Sequence, residues 1–160
     1  MELYLMRHGI AEPGVPGSPD SARRLTPEGE TRTAKVLKLA CRTGVLPDLI
    51  LSSPYIRAAQ TAAIAREELA VPSGVIGFPA LVPHGSPETV WHELRDYSDY
   101  GSLLLTGHEP LLSALTAYLL GAPGLQVEMK KAAIVRIDFD SIGPVPRGIL
   151  RWMIVPAMIE

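Results

Sequence analysis

The chain has 160 residues, 47% hydrophobic and 20% charged, proportions expected of one domain with a single sizeable core spanning residues 1–160. Its net charge of −2, from 15 basic and 17 acidic residues, offers no bulk attraction to nucleic acid or to an acidic membrane surface. A lone cysteine, Cys41, excludes a disulfide framework or a zinc cluster, and within a helical pattern it reads as a small buried hydrophobe.

The first strand is expected at residues 2–6, and it runs straight into "MRHGIAEP". Residues 12–20, "EPGVPGSPD", are too rich in Pro and Gly for regular structure and read as a mobile loop beside that strand end. A helix over 27–43 follows, with Thr26 as cap, Pro27 at its first position and Gly44 past its end. Residues 48–52 form a buried strand, then a helix runs over 54–69 with Ser53 as its cap. A short strand at 75–78 precedes a helix over 87–97 capped by Ser86. A strand at 102–106 leads into a helix over about 110–120. Strands over 127–139 and 149–155 close the chain, the first interrupted by Lys130 and Lys131, which read as a solvated strand edge. Alternating strands and helices imply a three-layer α/β/α arrangement around a mostly parallel sheet. The last two strands, joined only by a Gly/Pro loop, are expected to pair antiparallel. There is no basic leader before an apolar signal segment and no apolar run of spanning length, so a cytoplasmic protein is expected.

Open α/β sheets bind ligands outside the carboxyl ends of their strands. Three such ends deliver cationic or potentially cationic side chains. Arg7 and His8 follow the first strand, Arg57 sits in the first turn after "LILSS", and His108 follows "SLLLT". Each alone has a plain alternative: a core histidine, a surface ion pair, a solvated helix arginine, a loop residue. Together they make a seat for a compact dianion such as a phosphoryl group, since the guanidinium fork matches phosphate oxygens. Gly9 is expected to let the backbone turn and approach the ligand.

"LYLMRHG", "RRLTPEG", "LSSPYIRAAQTA" and "LLLTGHEP", in that order, resemble the histidine phosphatase superfamily, whose fold is phosphoglycerate mutase-like. The short length and the "GHEP" form resemble its small phosphohistidine phosphatase branch. The resemblance implies His8 as nucleophile, with Arg7, Arg57 and His108 around the phosphate. Arg23 in "ARRLT" matches an arginine of the small branch and is expected to border the pocket, with Arg24 as the competing choice. Neutral His8, one ring nitrogen held by a backbone carbonyl, would attack phosphorus in line. Arg7, Arg57 and protonated His108 would hold the equatorial oxygens, and water would hydrolyse the phosphohistidine formed. No metal or other cofactor is expected.

Many relatives carry a glutamate in a stretch resembling "FPALVPHG", where this chain has Ala80. Glu109 and Glu12 remain as candidate acids, and neither is assigned. A phosphorylated imidazole departs with little help, since a free ring accepts a proton near pH 6.5, whereas an alkoxide needs a proton delivered. The expected substrate is therefore phosphohistidine on a partner protein, such as a histidine phosphotransfer domain, with a small phosphoester as the alternative. A broad small-molecule phosphatase, a mutase, a phosphate-binding module without turnover and a metallohydrolase are the competing classes. His84, His92, Trp91 and Trp152 are read as surface or packing residues.

Overall fold

Leu3, Tyr4, Leu5 and Met6 are all fully buried, so the strand that carries them, β1 (Glu2–Arg7), has protein on both faces. In the computed structural model, which describes residues 1–159, β1 is an inner strand of a six-stranded sheet. It pairs in parallel with β4 (Ser102–Gly107), which in turn pairs in parallel with β2 (Leu49–Ser52). The short β3 (Val75–Gly77) closes that edge, giving the order β3-β2-β4-β1-β5-β6. On the other side β5 (Ile134–Asp138) runs antiparallel to β1, and β6 (Ile149–Ile154) antiparallel to β5, as expected for the final pair.

The period-two alternation of the strands sorts their side chains between two helical layers. Leu3, Leu5, Leu49, Leu51, Leu103 and Leu105 pack beneath α3 (Pro87–Leu94) and α4 (Leu111–Leu119). Tyr4, Met6, Ile50 and Leu104 pack beneath α1 (Pro27–Arg42) and α2 (Ile56–Glu68). The result is the three-layer α/β/α architecture with a mostly parallel sheet. Trp91 packs on Phe139 and Trp152 on Tyr4, both as core or near-core contacts. Cys41 is half-buried against the α1/α2 layer, and His84 and His92 are exposed.

Two helix starts follow the sequence closely. Thr26 Oγ1 accepts the Gly29 N–H at 2.9 Å, and Ser86 Oγ accepts the Thr89 N–H at 3.1 Å. Other expectations need correction. Ser53 does not cap α2, which starts only at Ile56. The helix over 87–97 ends at Leu94, and Arg95–Tyr97 continues as a 3-10 turn. The long strand over 127–139 shrinks to Ile134–Asp138 because Ala132 takes a positive φ of 63°, which breaks an extended run. Its N–H turns inward to the carbonyls of Arg7 and His8, each at 3.1 Å. Lys130 and Lys131 therefore stand on a turn over the end of β1 and are not a strand edge.

That crossing leaves little room elsewhere around the β1 end. A Cβ on Gly29, in the first turn of α1, would strike the carbonyl of Ile10. A Cβ on Gly9 would strike Thr33 Oγ1 and lie 3.0 Å from the Gly29 carbonyl. Gly9 thus serves the approach of α1 to the β1 turn. Because backbone atoms cannot swing aside as a flexible side chain does, Gly29→Ala should cost about 3 kcal/mol. The expected readout is a lowered urea midpoint with an unchanged slope.

Candidate active site

The carboxyl ends of β1, β2 and β4 lie side by side, and each hands over to a functional residue within one or two positions. Arg7 ends β1 and His8 follows it; Ser53 follows β2; His108 follows β4. Arg57 comes from the first turn of α2, the helix that β2 feeds. His8, Arg57 and His108 are 5%, 4% and 1% exposed, which for two rings and a guanidinium means near-complete removal from water.

Hydrogen bonds define the state of His8. Its Nδ1 lies 2.7 Å from the Gly9 carbonyl oxygen, which can only accept, so Nδ1 carries the proton. Its Nε2 accepts the Nε–H of Arg57 at 3.1 Å, as a lone-pair nitrogen does. Thr61, one helical turn beyond Arg57, ties the two parts together. Its hydroxyl donates to the Arg57 carbonyl at 2.8 Å and accepts the Gly9 N–H at 3.2 Å. His108 stands beside His8 with ring centroids 5.1 Å apart. It hydrogen-bonds through Nε2 with Ser53 Oγ at 2.8 Å, which is where the Ser53 hydroxyl goes instead of capping α2. His108 Nδ1 and Arg7 Nε are buried without a hydrogen-bond partner. Tyr55 sets its ring edge-on to His108 at 5.0 Å and lies under the Arg57 guanidinium at 5.2 Å. Arg7 NH1 donates to the Met129 carbonyl at 2.7 Å, held by the turn that replaces the expected strand.

The field of the site keeps both rings neutral. Burial lowers the His8 pKa to about 4, assisted by the charges of Arg57, Arg7 and Lys131 and opposed by the Gly9 hydrogen bond. Burial likewise lowers His108 to about 3, with His8, Arg57 and Arg7 acting in the same direction and Asp20 against it. In the free site a cationic His108 would have to stand dry beside two guanidinium groups; the expected protonated His108 belongs to the site with a phosphoryl group bound. Burial also lowers Arg7, against the pull of the Glu109 carboxylate.

Asp20 is the residue that spacing did not reveal. It opens the 3-10 turn Asp20–Ala22 at the end of the Pro/Gly loop, so that end of the loop is anchored in the site. Its Oδ2 accepts from Arg57 NH2 at 2.9 Å and its backbone carbonyl accepts from Arg57 NH1 at 2.8 Å. The Arg57 hydrogen bond holds its carboxyl below the usual range. Arg23 does border the site, at one remove: NH1 donates to Asp20 Oδ1 at 3.0 Å and Nε to the Glu12 carbonyl at 2.8 Å. Arg24 is exposed. Glu109 accepts the Ser113 N–H at 2.9 Å and the Ser113 hydroxyl, so its carboxylate is engaged in starting α4. The Glu12 side chain is exposed, and Ala80 sits in the turn Pro79–Leu81. Arg7 also lines a cavity of about 520 Å³ whose walls include Ile10, Lys131, Val155 and Pro156. Among the described residues, no three His, Cys, Asp or Glu side chains gather so as to hold a metal ion.

The depressed histidine values carry a stability consequence. In the unfolded chain both rings take a proton near pH 6.5, whereas the folded rings resist to about 4 and 3. Between those limits the unfolded state binds more protons, so stability falls as pH drops below 6.5 and is untouched by these groups above it. We expect the loss of unfolding free energy between pH 7 and pH 4.5 to shrink by roughly 2 kcal/mol in His8→Asn and similarly in His108→Asn, measured by urea titration.

Known proteins share the sequence and the fold of this chain. The model of the histidine phosphatase superfamily (branch 1) matches residues 3–76, which carry Arg7, His8 and Arg57. An uncharacterized protein of Picosynechococcus sp. is 39% identical over 139 residues, covering 84% of this chain and 83% of that one. Phosphohistidine phosphatase SixA of Escherichia coli is 29% identical over 163 residues, covering 100% of this chain and 97% of that one. A solved structure of the protein histidine phosphatase SixA complexed with tungstate superimposes with a TM-score of 0.87 over the whole of both chains, at 26% identity. The family match, the full-length likeness to SixA and the shared fold place the chain in the histidine phosphatase superfamily, in its SixA-type branch.

Proposed function

We propose that this protein is a metal-independent phosphatase that removes the phosphoryl group from phosphohistidine on a partner protein, through a phosphohistidine formed on His8. The observation that supports it most is the state of His8: a neutral ring, Nδ1–H tied to the Gly9 carbonyl, Nε2 lone pair turned to Arg57. That is the protonation state and tautomer a nitrogen nucleophile requires at neutral pH.

The substrate ring first takes a proton from solvent at its unphosphorylated nitrogen; the His8 Nε2 lone pair then attacks phosphorus as the phosphorus–nitrogen bond breaks, and the ring leaves as neutral imidazole. Arg7 and Arg57 supply fixed positive charge to the equatorial oxygens. His108, neutral in the free site, acquires a proton or donates through its ring N–H once a dianion stands beside it, since an opposite charge favours the charged form. Water then attacks the phosphorus, phosphate leaves, and His8 returns to its neutral form with Nδ1–H still on Gly9. Tyr55 keeps His108 and Arg57 in register.

Two features favour a nitrogen leaving group over an alkoxide. Ala80 offers no acid, and the Glu109 carboxylate is engaged by Ser113. An imidazole leaves without a dedicated donor because its own basicity is modest, about 6.5 against an alkoxide near that of water. The SixA relatives, named for phosphohistidine, support the same substrate class. Lys131, on the wall of the cavity beside Arg7, adds positive charge suited to an acidic surface on a phosphorylated partner.

The test is a turnover comparison under identical conditions, with chelator present, between a phosphohistidine protein, an aryl phosphate and sugar phosphates. The expected order is phosphohistidine above aryl phosphate, with alkyl phosphates slower by at least about 10², the usual scale of a missing general acid. Sugar phosphates turned over as fast as phosphohistidine would assign the protein to broad phosphomonoester hydrolysis.

A further inference from the structure

Arg57 presents two parallel N–H groups, Nε–H and one of NH2, along the edge that faces His8, the edge that grips two oxygens of an oxyanion in a bidentate pair. In this structure both are taken. Nε–H goes to His8 Nε2 and NH2 to the Asp20 carboxylate. A phosphoryl group placed for attack by Nε2 needs that same edge. A dianion and a carboxylate cannot share it without strong repulsion in a site that excludes water.

We propose that Asp20 is a resident counter-anion of the phosphoryl seat, displaced from Arg57 by each incoming phosphoryl group and returning as phosphate leaves. The proposal rests on the phosphatase reading above and adds a residue that sets how tightly the site holds any anion.

The surroundings of Asp20 fit displacement. Its side chain is 54% exposed, while the Arg57 side chain it covers is 5% exposed, so the carboxylate sits at the mouth and the guanidinium behind it. It belongs to a three-residue 3-10 turn that follows the Pro/Gly loop, outside every helix and strand, and its carbonyl on Arg57 anchors the backbone while the side chain can turn. Its second oxygen is already on Arg23, 27% exposed at its side chain, which is itself tied to the Glu12 carbonyl. When Oδ2 leaves Arg57, the carboxylate therefore keeps a cationic partner. The backbone carbonyl of Asp20 on Arg57 NH1 is independent of the side-chain rotamer, so Arg57 keeps its orientation during the exchange. The consequence for turnover is directional. Inorganic phosphate, which brings no other contacts, competes poorly against a tethered carboxylate, whereas a phosphorylated protein adds surface contacts of its own. Product release is eased, and the free site does not fill with cellular phosphate.

The alternative role for Asp20 is that of a positioning residue that only orients Arg57, and the two roles give opposite signs. The experiment is isothermal titration of inorganic phosphate and of tungstate into the full-length wild-type chain, Asp20→Asn and Asp20→Ala at pH 7.5. Removing a resident charge-assisted competitor at a half-exposed position should tighten both anions about tenfold in both variants. In turnover assays, phosphate should inhibit the variants at correspondingly lower concentration. Unchanged or weaker anion affinity in variants that melt like the wild type would overturn the proposal while leaving the phosphatase reading intact. Failure of all three proteins to bind either anion would instead remove the phosphoryl seat itself, and Asp20 with it.

Discussion

The site depends on one line of hydrogen bonds, from the Gly9 carbonyl through the His8 ring to the Arg57 guanidinium. A carbonyl can only accept, so it selects the Nδ1–H tautomer, and the guanidinium N–H can only donate, so it selects a lone pair at Nε2. The backbone at one end and a permanent cation at the other leave the imidazole a single protonation state. Burial reinforces that choice and is the largest influence on the ring, exceeding the neighbouring charges. The same loss of solvent that makes His8 neutral also makes each surrounding donor stronger toward an anion.

Everything else in the fold supports that line. The inner position of β1 places Arg7 and His8 at the end of a strand covered on both faces by helical layers. The near contact of Gly9 and Gly29 with opposing backbone or side chain brings α1 against the β1 turn. Thr61 joins that turn to α2, so Arg57 and the His8 loop move as one body. The turn around Ala132 reaches back to the carbonyls of Arg7 and His8 and closes the remaining side. Surface ion pairs such as Lys38 with Glu68 contribute little by comparison with these buried contacts.

Much of this was legible in the order of residues because the relevant signals are local. A strand ending in Arg-His-Gly, a helix start carrying Arg57 and a strand followed by Gly-His each declare a functional end within a few positions. The alternating pattern was enough to assign the three layers and the antiparallel final pair. What escaped were relations between distant segments with no pattern of their own. Asp20 lies 37 positions from Arg57, in a loop whose composition suggests only irregularity. Ser53 looked like a cap because serine before a helix usually is one, and a tertiary partner, His108, claimed its hydroxyl first. The stretch before Ile134 reads as extended because Ala132 carries no hint of a left-handed backbone.

The central claim is that a neutral His8 receives phosphorus through Nε2, and rapid quench into base with mass spectrometry and phosphorus NMR tests it directly. During turnover of a phosphohistidine protein, the expected species is one acid-labile, base-stable phosphoryl group on His8, attached at Nε2 because Nδ1 is held by Gly9, and absent in His8→Asn. Turnover by the wild type with no phosphoryl group on His8, or with the group on Nδ1 or another residue, would contradict the account.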